Sequence, residues 1–347
     1  MEILRDYDLT NLNTFGIRAK AKLFVEVTSE ADLQELFLSP EFKENERFIL
    51  GAGSNVLFTK DFNGLVVLDK LKGIVLQQVQ DENSETVLIK AMGGEVWHDV
   101  VLFSVNHGFW GIENMSLIPG TAGAAPIQNM GAYGVELKDV LESLEAIEIG
   151  SGEKKVFTKE ECEFGYRESV FKNKLKGKYF ITAITLKLSK IPKLNADYKA
   201  LESYLKENNI EIKSSKDVSD AVSAIRKSKL PDPKILGNAG SFFKNVYVDK
   251  EKAQSLLEIY SDMPVFKDSS AGEAEGELIK IPTGWLIEQS GWKGKRLGNV
   301  GVHDKQALVL VNYGGAKGEE ILDLADKIIE SVEQKFGLKL TPEVNLI

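Results

Sequence analysis

Hydrophobic and polar positions follow two different periods along this chain, which predicts a mixture of strands and helices. Apolar residues alternate, or run together briefly, in segments that we interpret as strands: 21–27, 48–50, 64–68, 74–79, 86–91, 144–149, 179–188, 242–248, 277–281 and 307–312. Helical spacing predicts helices from an N-cap at Ser29 to Leu38 and over residues 95–106, 218–229, 250–257, 283–289 and 318–336. A short C-terminal strand is expected after the last helix. The pattern indicates an α+β protein.

The residue composition of the sequence changes near Leu194, and residues 206–217 are polar and charged. We interpret this stretch as a domain boundary or a surface excursion. A chain of 347 residues suggests two or three domains.

Composition narrows the class of protein. A hydrophobic fraction of 43% with 27% charged residues is typical of globular proteins, and a net charge of −9 argues against a general nucleic-acid binder. The basic clusters at 226–229 and 293–296 could still hold an anionic substrate. Cys162 is the single cysteine, and no metal-binding pattern is present, so we expect neither a disulfide nor a metal. Lacking a signal-peptide pattern or an apolar run of ~20 residues, the sequence predicts a cytoplasmic protein without membrane contact.

A glycine-rich segment, Gly51-Ala52-Gly53-Ser54-Asn55, follows a predicted buried strand directly. Its backbone could cradle a phosphate. However, Val56 replaces the third glycine of a Rossmann fingerprint, and the sequence contains no P-loop. A purely structural turn is the equal alternative.

A second segment of small, uncharged residues covers 119–126 and continues into 129–134. Such residues let the backbone approach a large flat ligand, and Gln128, Asn129 and Tyr133 could orient that ligand. The alternative is tight packing within the protein.

Three further residues are candidates for catalysis or substrate binding. Ser241 lies in Gly-Ser-Phe-Phe, which is not a nucleophile elbow because Phe243 replaces the final glycine, so direct proton donation remains open. Arg167 and Glu343 could together bind a carboxylate-bearing substrate, although a surface ion pair is the usual alternative for each. The three histidines, His98, His107 and His303, are interpreted as structural or surface residues.

Taken together, these motifs resemble one family, the UDP-N-acetylenolpyruvoylglucosamine reductases (UDP-N-acetylmuramate dehydrogenases), in the longer subtype that carries a tyrosine loop. The matching segments run in order from residue 13 to the C-terminus: 13–17, 51–57, 118–135, 164–172, 230–233, 237–245, 284–287 and 342–344.

The resemblance implies an enzyme of peptidoglycan precursor synthesis. It would use non-covalent FAD, with NADPH as co-substrate, to reduce UDP-N-acetylglucosamine enolpyruvate to UDP-N-acetylmuramate. A hydride would pass from flavin N5 to C3, and a proton would reach C2. The implied fold is α+β: an FAD-binding fold of the vanillyl-alcohol-oxidase type in two α+β subdomains, 1–70 with about 338–347 and then 71–212. A third α+β domain, 213–337, would bind the substrate, and the chain is expected to be monomeric.

The resemblance also implies roles for individual residues. Ser241 would protonate C2, with Arg167 and Glu343 beside the substrate carboxylate and the developing enol. Substrate or NADPH contacts would come from Tyr166, Tyr198, Arg226, Lys229 and Asn245. The FAD would be lined by Gly51, Gly53, Ser54, Asn55, Ile118, Gly120, Thr121, Gly123, Ala124, Gln128, Asn129, Gly131 and Tyr133.

Two positions depart from the family pattern. The surroundings of Tyr198, Ala196-Asp197-Tyr198-Lys199-Ala200, lack the usual Tyr-Gly, and Asn345 stands where a basic residue is frequent. Two other functions remain as alternatives: an FAD-dependent oxidase of another sugar or hydroxy acid, and an inactive nucleotide-sugar-binding homologue.

Overall fold

A computed structural model describes residues 1–77, 85–195, 198–267 and 278–347 of the chain. The predicted strand end at Val79, the segment Ala196-Asp197 and the predicted strand start at Glu277 lie outside these residues. Within the described ranges, no helix is long and apolar enough to cross a membrane.

The strands and helices alternate irregularly along the chain. The strands are β1 (Ile3–Asp8), β2 (Lys20–Val27), β3 (Arg47–Leu50), β4 (Val56–Leu57), β5 (Phe62–Asp69), β6 (Ile74–Gln77), β7 (Thr86–Met92), β8 (Gly131–Ala132), β9 (Val135–Glu136), β10 (Leu141–Glu148), β11 (Lys154–Thr158), β12 (Tyr179–Ser189), β13 (Val246–Val248), β14 (Phe266–Lys267), β15 (Ile279–Ile281), β16 (Arg296–Leu297), β17 (Val300–Val302), β18 (Leu310–Asn312) and β19 (Asn345–Leu346). The helices are α1 (Glu30–Leu38), α2 (Pro40–Glu44), α3 (Trp97–Asn106), α4 (Lys199–Glu207), α5 (Ser215–Lys229), α6 (Lys250–Ile259), α7 (Thr283–Gln289) and α8 (Gly318–Phe336).

The chain divides into two compact units, and the first contains residues 1–7, 21–53 and 62–228. Its first layer is a sheet in the order β1-β2-β5-β3, in which β5 runs parallel to both β2 and β3. Helix α1 packs its buried Leu33 and Leu36 on this sheet. The helix begins at a capping box, since the Ser29 hydroxyl accepts from the Asp32 amide and the Asp32 carboxylate accepts from the Ser29 amide. The predicted N-cap is therefore confirmed.

The second layer of the first unit is an antiparallel sheet in the order β11-β10-β12-β7-β6. Central strand β12 is buried on both faces along most of its length, Thr182 and Thr185 included, rather than on one face as an alternating pattern indicates. Helix α3 covers the sheet with Trp97, Val100 and Val101, all fully buried. This packing fixes the N-terminal end of α3, where the glycine-rich residues 118–124 are anchored.

Helices α4 and α5 form a small separate core around Trp110 with Leu201, Val218 and Val222. The polar stretch 206–217 contains the connection between these helices, and α4 itself was not predicted. By contacts, the first unit continues to Ser228. The three-domain division with a boundary at 212/213 stays a prediction.

The second unit contains residues 8–20, 54–61 and 229–347. Its core packs α8 against α7 and the small sheet β16-β17-β18. The N-terminal segment enters this core: Phe15 is buried, its carbonyl accepts from Asn312 Nδ2 at 2.8 Å, and the Thr14 carbonyl accepts from the Asn238 amide at 2.9 Å. Strand β19 pairs in parallel with β4. The unit is thus assembled from three distant stretches of chain.

The predicted strand over 242–248 is only partly correct. Regular strand is found at β13, whereas Ser241 and Phe243 form isolated bridges to Val309 and Pro342. Phe242 and Phe243 are adjacent in sequence and both buried, so burial does not alternate along this segment as it does along a strand with one exposed face.

Candidate functional site

The first two glycine-rich segments meet within the first unit. Strand β3 ends at the buried Leu50, and a Cβ placed on Gly51 would lie 2.7 Å from Thr121 Oγ1. A larger residue at position 51 would therefore crowd Thr121. Contacts from Gly51 to a ligand would be made by its backbone.

Thr121 gives a reason to place a polar ligand here. Its Oγ1 is fully buried and has no hydrogen-bond partner among the described residues. Leaving a buried hydroxyl unsatisfied costs about 1–3 kcal/mol, so such atoms are commonly completed by a ligand or water. The glycine-rich residues beside it leave backbone accessible at Ala124, which is exposed, while Ile118 and Gln128 are half-buried.

A buried carboxyl lies under the same loop. A Cβ on Gly123 would lie 3.2 Å from Asp69 Oδ2, and a Cβ on Gly93 would lie 2.4 Å from the same oxygen. The Gly123 amide donates to the Gly93 carbonyl, which holds the loop against the end of β7. Burial raises the pKa of Asp69 to about 7, while the Leu71 amide and the charge of Lys72 oppose that rise.

Asn129 joins three segments of the site. This residue is fully buried in a left-handed conformation with φ +44°. Its Nδ2 donates to Glu136 Oε2 at 2.9 Å and to the Gly165 carbonyl at 3.0 Å, and its Oδ1 accepts from the Lys138 amide at 3.0 Å. Both amide hydrogens are thus used within the protein, so Asn129 shapes the site through its neighbours.

The hairpin of β8 and β9 presents Tyr133 to a group of basic and aromatic side chains. The rings of Tyr133 and Tyr198 meet edge to face, 5.2 Å apart. Arg167 Nη2 donates to the Gly131 carbonyl at 3.0 Å, and its guanidinium lies 5.5 Å from the centre of the Tyr166 ring. These contacts bring five predicted site residues of the first unit, Gly131 among them, into one neighbourhood.

Arg226 from α5 joins this group. Burial lowers the pKa of its guanidinium, the charge of Arg167 lowers it further, and Tyr133 acts in the opposite direction. Burial likewise raises the pKa of Tyr133. Arg226 Nε is enclosed and has no hydrogen-bond partner among the described residues. Arg226, Arg167 and Tyr133 are each half-buried, and two guanidinium groups placed together suit an anionic ligand.

The second unit brings Ser241 and Glu343 onto neighbouring chain segments. The Glu343 amide donates to the Phe242 carbonyl at 2.8 Å, and Phe243 bridges Pro342. On the other side, Ser241 bridges Val309. Both Ser241 and Glu343 are half-buried. Arg167 belongs to the first unit, so its convergence with this pair stays a prediction.

Other predicted residues of the second unit serve the framework. Asn55 Nδ2 donates to the Glu343 carbonyl at 3.3 Å, and Asn345 Nδ2 donates to the Asn55 carbonyl at 3.0 Å. Asn345 therefore uses its amide to hold the loop that carries Asn55. Asn245 Oδ1 accepts from the Thr283 amide at the start of α7, and Lys229 is the last residue of α5.

Family models match both parts of the chain. Residues 21–157 match a model described as an FAD binding domain. Residues 232–347 match the model of the UDP-N-acetylenolpyruvoylglucosamine reductase C-terminal domain.

Similar proteins extend the match to the full length. The UDP-N-acetylenolpyruvoylglucosamine reductase of Flavobacterium johnsoniae is 48% identical over 348 residues, which covers all of both chains. The reductase of Pseudomonas aeruginosa is 42% identical and covers 100% of this chain and 99% of its own. This chain belongs to the UDP-N-acetylenolpyruvoylglucosamine reductase family. Membership in this family, with its FAD-binding domain, confirms FAD as the cofactor, as the motifs predicted.

Solved structures support the fold. UDP-N-acetylenolpyruvylglucosamine reductase from Thermus caldophilus aligns with a TM-score of 0.65 at 21% identity, covering 99% of this chain and 98% of its own. A VAO-type flavoprotein from Myceliophthora thermophila aligns at 0.50 and 13% identity, covering 91% and 70%. The predicted fold, an α+β FAD-binding fold of the vanillyl-alcohol-oxidase type, is thereby confirmed.

Sequence reasoning missed several residues that support the candidate site in this chain. Asn114 Nδ2 donates to the carbonyls of Tyr133 and Asn195, and Glu136 binds Asn129. Asp69 lies against two glycines. The only signal for Asp69 was a carboxylate at the end of a strongly apolar strand. Asn114 and Glu136 gave no signal, because their contacts depend on tertiary structure.

Proposed function

We propose that this chain reduces UDP-N-acetylglucosamine enolpyruvate with NADPH through bound FAD, and that Ser241 delivers the proton to C2. The observation that supports the chemistry is the pairing of 242–244 with 341–343, which brings the neighbouring Ser241 and Glu343 onto adjacent segments. The family shown by full-length similarity carries out this reduction in peptidoglycan precursor synthesis.

The first unit would hold the FAD. Thr121 Oγ1, buried without a described partner, would hydrogen-bond the cofactor, and the backbone of residues 51–53 and 118–124 would line it. Asn129 would keep the loop in shape. Bound FAD would supply the redox chemistry, a hydride transfer from NADPH to C3 of the enolpyruvyl group.

The reacting end of the substrate needs a proton donor and charge stabilisation. Ser241 would donate its hydroxyl proton to C2, because the reduced double bond requires one proton for each hydride. Arg167 and Glu343 would orient the substrate carboxylate and stabilise the developing enol. A bidentate guanidinium–carboxylate contact would fix the substrate orientation at Arg167.

The diphosphate and nicotinamide groups need local positive charge in a protein of net charge −9. Arg226 and Lys229 would provide that charge, with Asn245 as a polar contact. Tyr133 and Tyr198, whose rings touch, would close over the nucleotide end of the substrate. The exposed ring of Tyr198 has room to reorient on binding.

We also propose that the enzyme works as a cytoplasmic monomer. The cytoplasmic assignment is supported by the substrates, because NADPH and UDP-sugars are made and used there. Light scattering during size exclusion should give a mass near 38.4 kDa, and a dimer mass would contradict the monomer.

The test separates the two half-reactions by following flavin absorbance under anaerobic conditions. Ser241→Ala should leave flavin reduction by NADPH within about twofold of wild type and slow reoxidation by the enolpyruvyl substrate by ~10² or more. Ser255→Ala is the control, because this exposed serine of the second unit donates its hydroxyl to the Lys252 carbonyl of its own helix. Equal slowing of both half-reactions removes Ser241 as the proton donor. Rapid oxygen consumption with a simple alcohol, without reoxidation by the enolpyruvyl sugar, would instead identify an oxidase.

A further inference from the structure

The first two residues of α3 hold the loop that leads into residues 118–124. Trp97 Nε1 donates to the Met115 carbonyl at 3.1 Å, and the Trp97 amide donates to the Gly120 carbonyl at 3.1 Å. Between these contacts, His98 Nδ1 accepts from the Leu117 amide at 3.1 Å. Three hydrogen bonds thus fix residues 115–120 to a rigid helix end.

The middle bond holds an unfavourable backbone conformation. Leu117 has φ +56°, in the left-handed region where an ordinary side chain costs about 1–2 kcal/mol. Such a conformation persists only where the surroundings enforce it. Leu117 directly precedes Ile118 and Gly120, so its conformation sets the direction in which this loop leaves α3.

The surroundings of His98 keep its ring neutral. Burial lowers the pKa of His98, the charges of Arg226 and Lys227 on α5 lower it further, and Asp99 on α3 opposes them. A neutral ring with its proton on Nε2 can accept at Nδ1. A protonated ring would present an N–H to the Leu117 amide and lose the bond.

We propose that His98 is a positioning residue for FAD binding: its Nδ1 holds Leu117 in the left-handed conformation that gives residues 118–124 their cofactor-binding shape. The proposal rests on the assignment of this loop to FAD made above. His98 acts through the backbone of the loop and contacts no reacting group.

The first experiment measures FAD affinity by quenching of flavin fluorescence on titration into apoprotein at pH 8. His98→Ala should weaken FAD binding about three- to tenfold, because one neutral hydrogen bond to the loop is lost. His98→Asn should stay within twofold of wild type, because its Oδ1 can accept in place of Nδ1. His107→Ala is the matched control, since this exposed histidine at the other end of α3 hydrogen-bonds the Phe103 carbonyl of its own helix and packs against Phe103 and Phe109.

The second experiment repeats the titration between pH 8 and 5. Wild type should lose FAD affinity as the pH falls and His98 takes up a proton, and the loss should reach that of His98→Ala. His98→Asn should lack this loss, because an amide does not titrate. A merely structural histidine would give both proteins the same pH profile, and that result overturns the proposal even if His98→Ala fails to fold.

A third comparison tests the role of Leu117. Glycine adopts positive φ without strain, so His98→Ala should weaken FAD binding less in a Leu117→Gly background than in wild type. Gly51→Val tests separately whether residues 51–53 and 118–124 bind FAD, which we call the cradle assignment. If Gly51→Val weakens FAD binding and His98→Ala does not, only the role of His98 is overturned. Normal affinity in both variants would overturn the cradle as well.

Discussion

Asn129→Ala should destabilise the first unit strongly, because the Asn129 side chain joins three segments. The change removes the donors to the Gly165 carbonyl and Glu136 and the acceptor for the Lys138 amide. It also puts alanine at φ +44°, a conformation that asparagine tolerates better.

The magnitude follows from these contacts. The two backbone partners, Gly165 and Lys138, lose their hydrogen bonds at a cost of about 1–3 kcal/mol each. The left-handed backbone adds about 1–2 kcal/mol. The lower ends of these ranges sum to about 3 kcal/mol for the free energy of unfolding. Asn129→Gly relieves the backbone strain and should be less destabilising by about 1 kcal/mol.

Urea unfolding followed by circular dichroism measures both variants, and FAD titration of the same samples reports the effect on the site. Asn173→Ala is the control, because Asn173 also donates two hydrogen bonds, to Glu168 and to the Ser169 carbonyl, but is exposed. It should change the free energy of unfolding by less than about 0.5 kcal/mol. If Asn129→Ala is no more destabilising than Asn173→Ala, the role assigned to Asn129 is refuted.

Two further predictions concern buried titratable groups. Because burial raises the pKa of Asp69 to about 7, the native protein holds a proton that the unfolded chain releases above about pH 4. The free energy of unfolding of wild type therefore falls as the pH rises from about 4 to 7. Asp69→Asn should lack this fall, and its free energy of unfolding in urea at pH 8 should exceed that of wild type by up to about 4 kcal/mol. A variant that is less stable than wild type at pH 8 would contradict this. Burial raises the pKa of the Cys162 thiol to about 12, so iodoacetamide at pH 8 should label the native thiol at least ~10²-fold more slowly than the urea-unfolded one, and equal rates would disprove this.

The sequence predicted those elements of the fold whose signals are local. The capping box at Ser29 and the amphipathic helix α8, which ends at Gly337 with φ +63°, are readable from adjacent residues. Helix α4 was missed because its sequence is mostly polar and only Leu201 and Leu205 are buried. Those two leucines pack around Trp110, a partner about ninety residues earlier in the chain.

The sequence indicated which residue types form the candidate site, but not which atoms those residues contact. The small residues Gly51 and Gly123 were predicted to let the backbone approach a ligand, and the structure places protein atoms, Thr121 Oγ1 and Asp69 Oδ2, beside them. Asn129 was predicted to line the cofactor, and the structure shows its amide hydrogens bonded to Glu136 and Gly165. Contacts between residues tens of positions apart cannot be inferred from the spacing of residues along the sequence, so roles of this kind required the structure.

The hydrogen bond between Phe15 and Asn312 links residues 297 positions apart, and this separation matters during synthesis. At roughly 5–20 residues per second, a ribosome takes about 15–60 s to reach Asn312 after Phe15 has been made. Throughout that interval the apolar surface of Phe15 and Ile17 lacks the partners that bury it in the second unit. The N-terminal segment is thus an aggregation hazard on the nascent chain, and a natural place for a chaperone to bind before the unit can close.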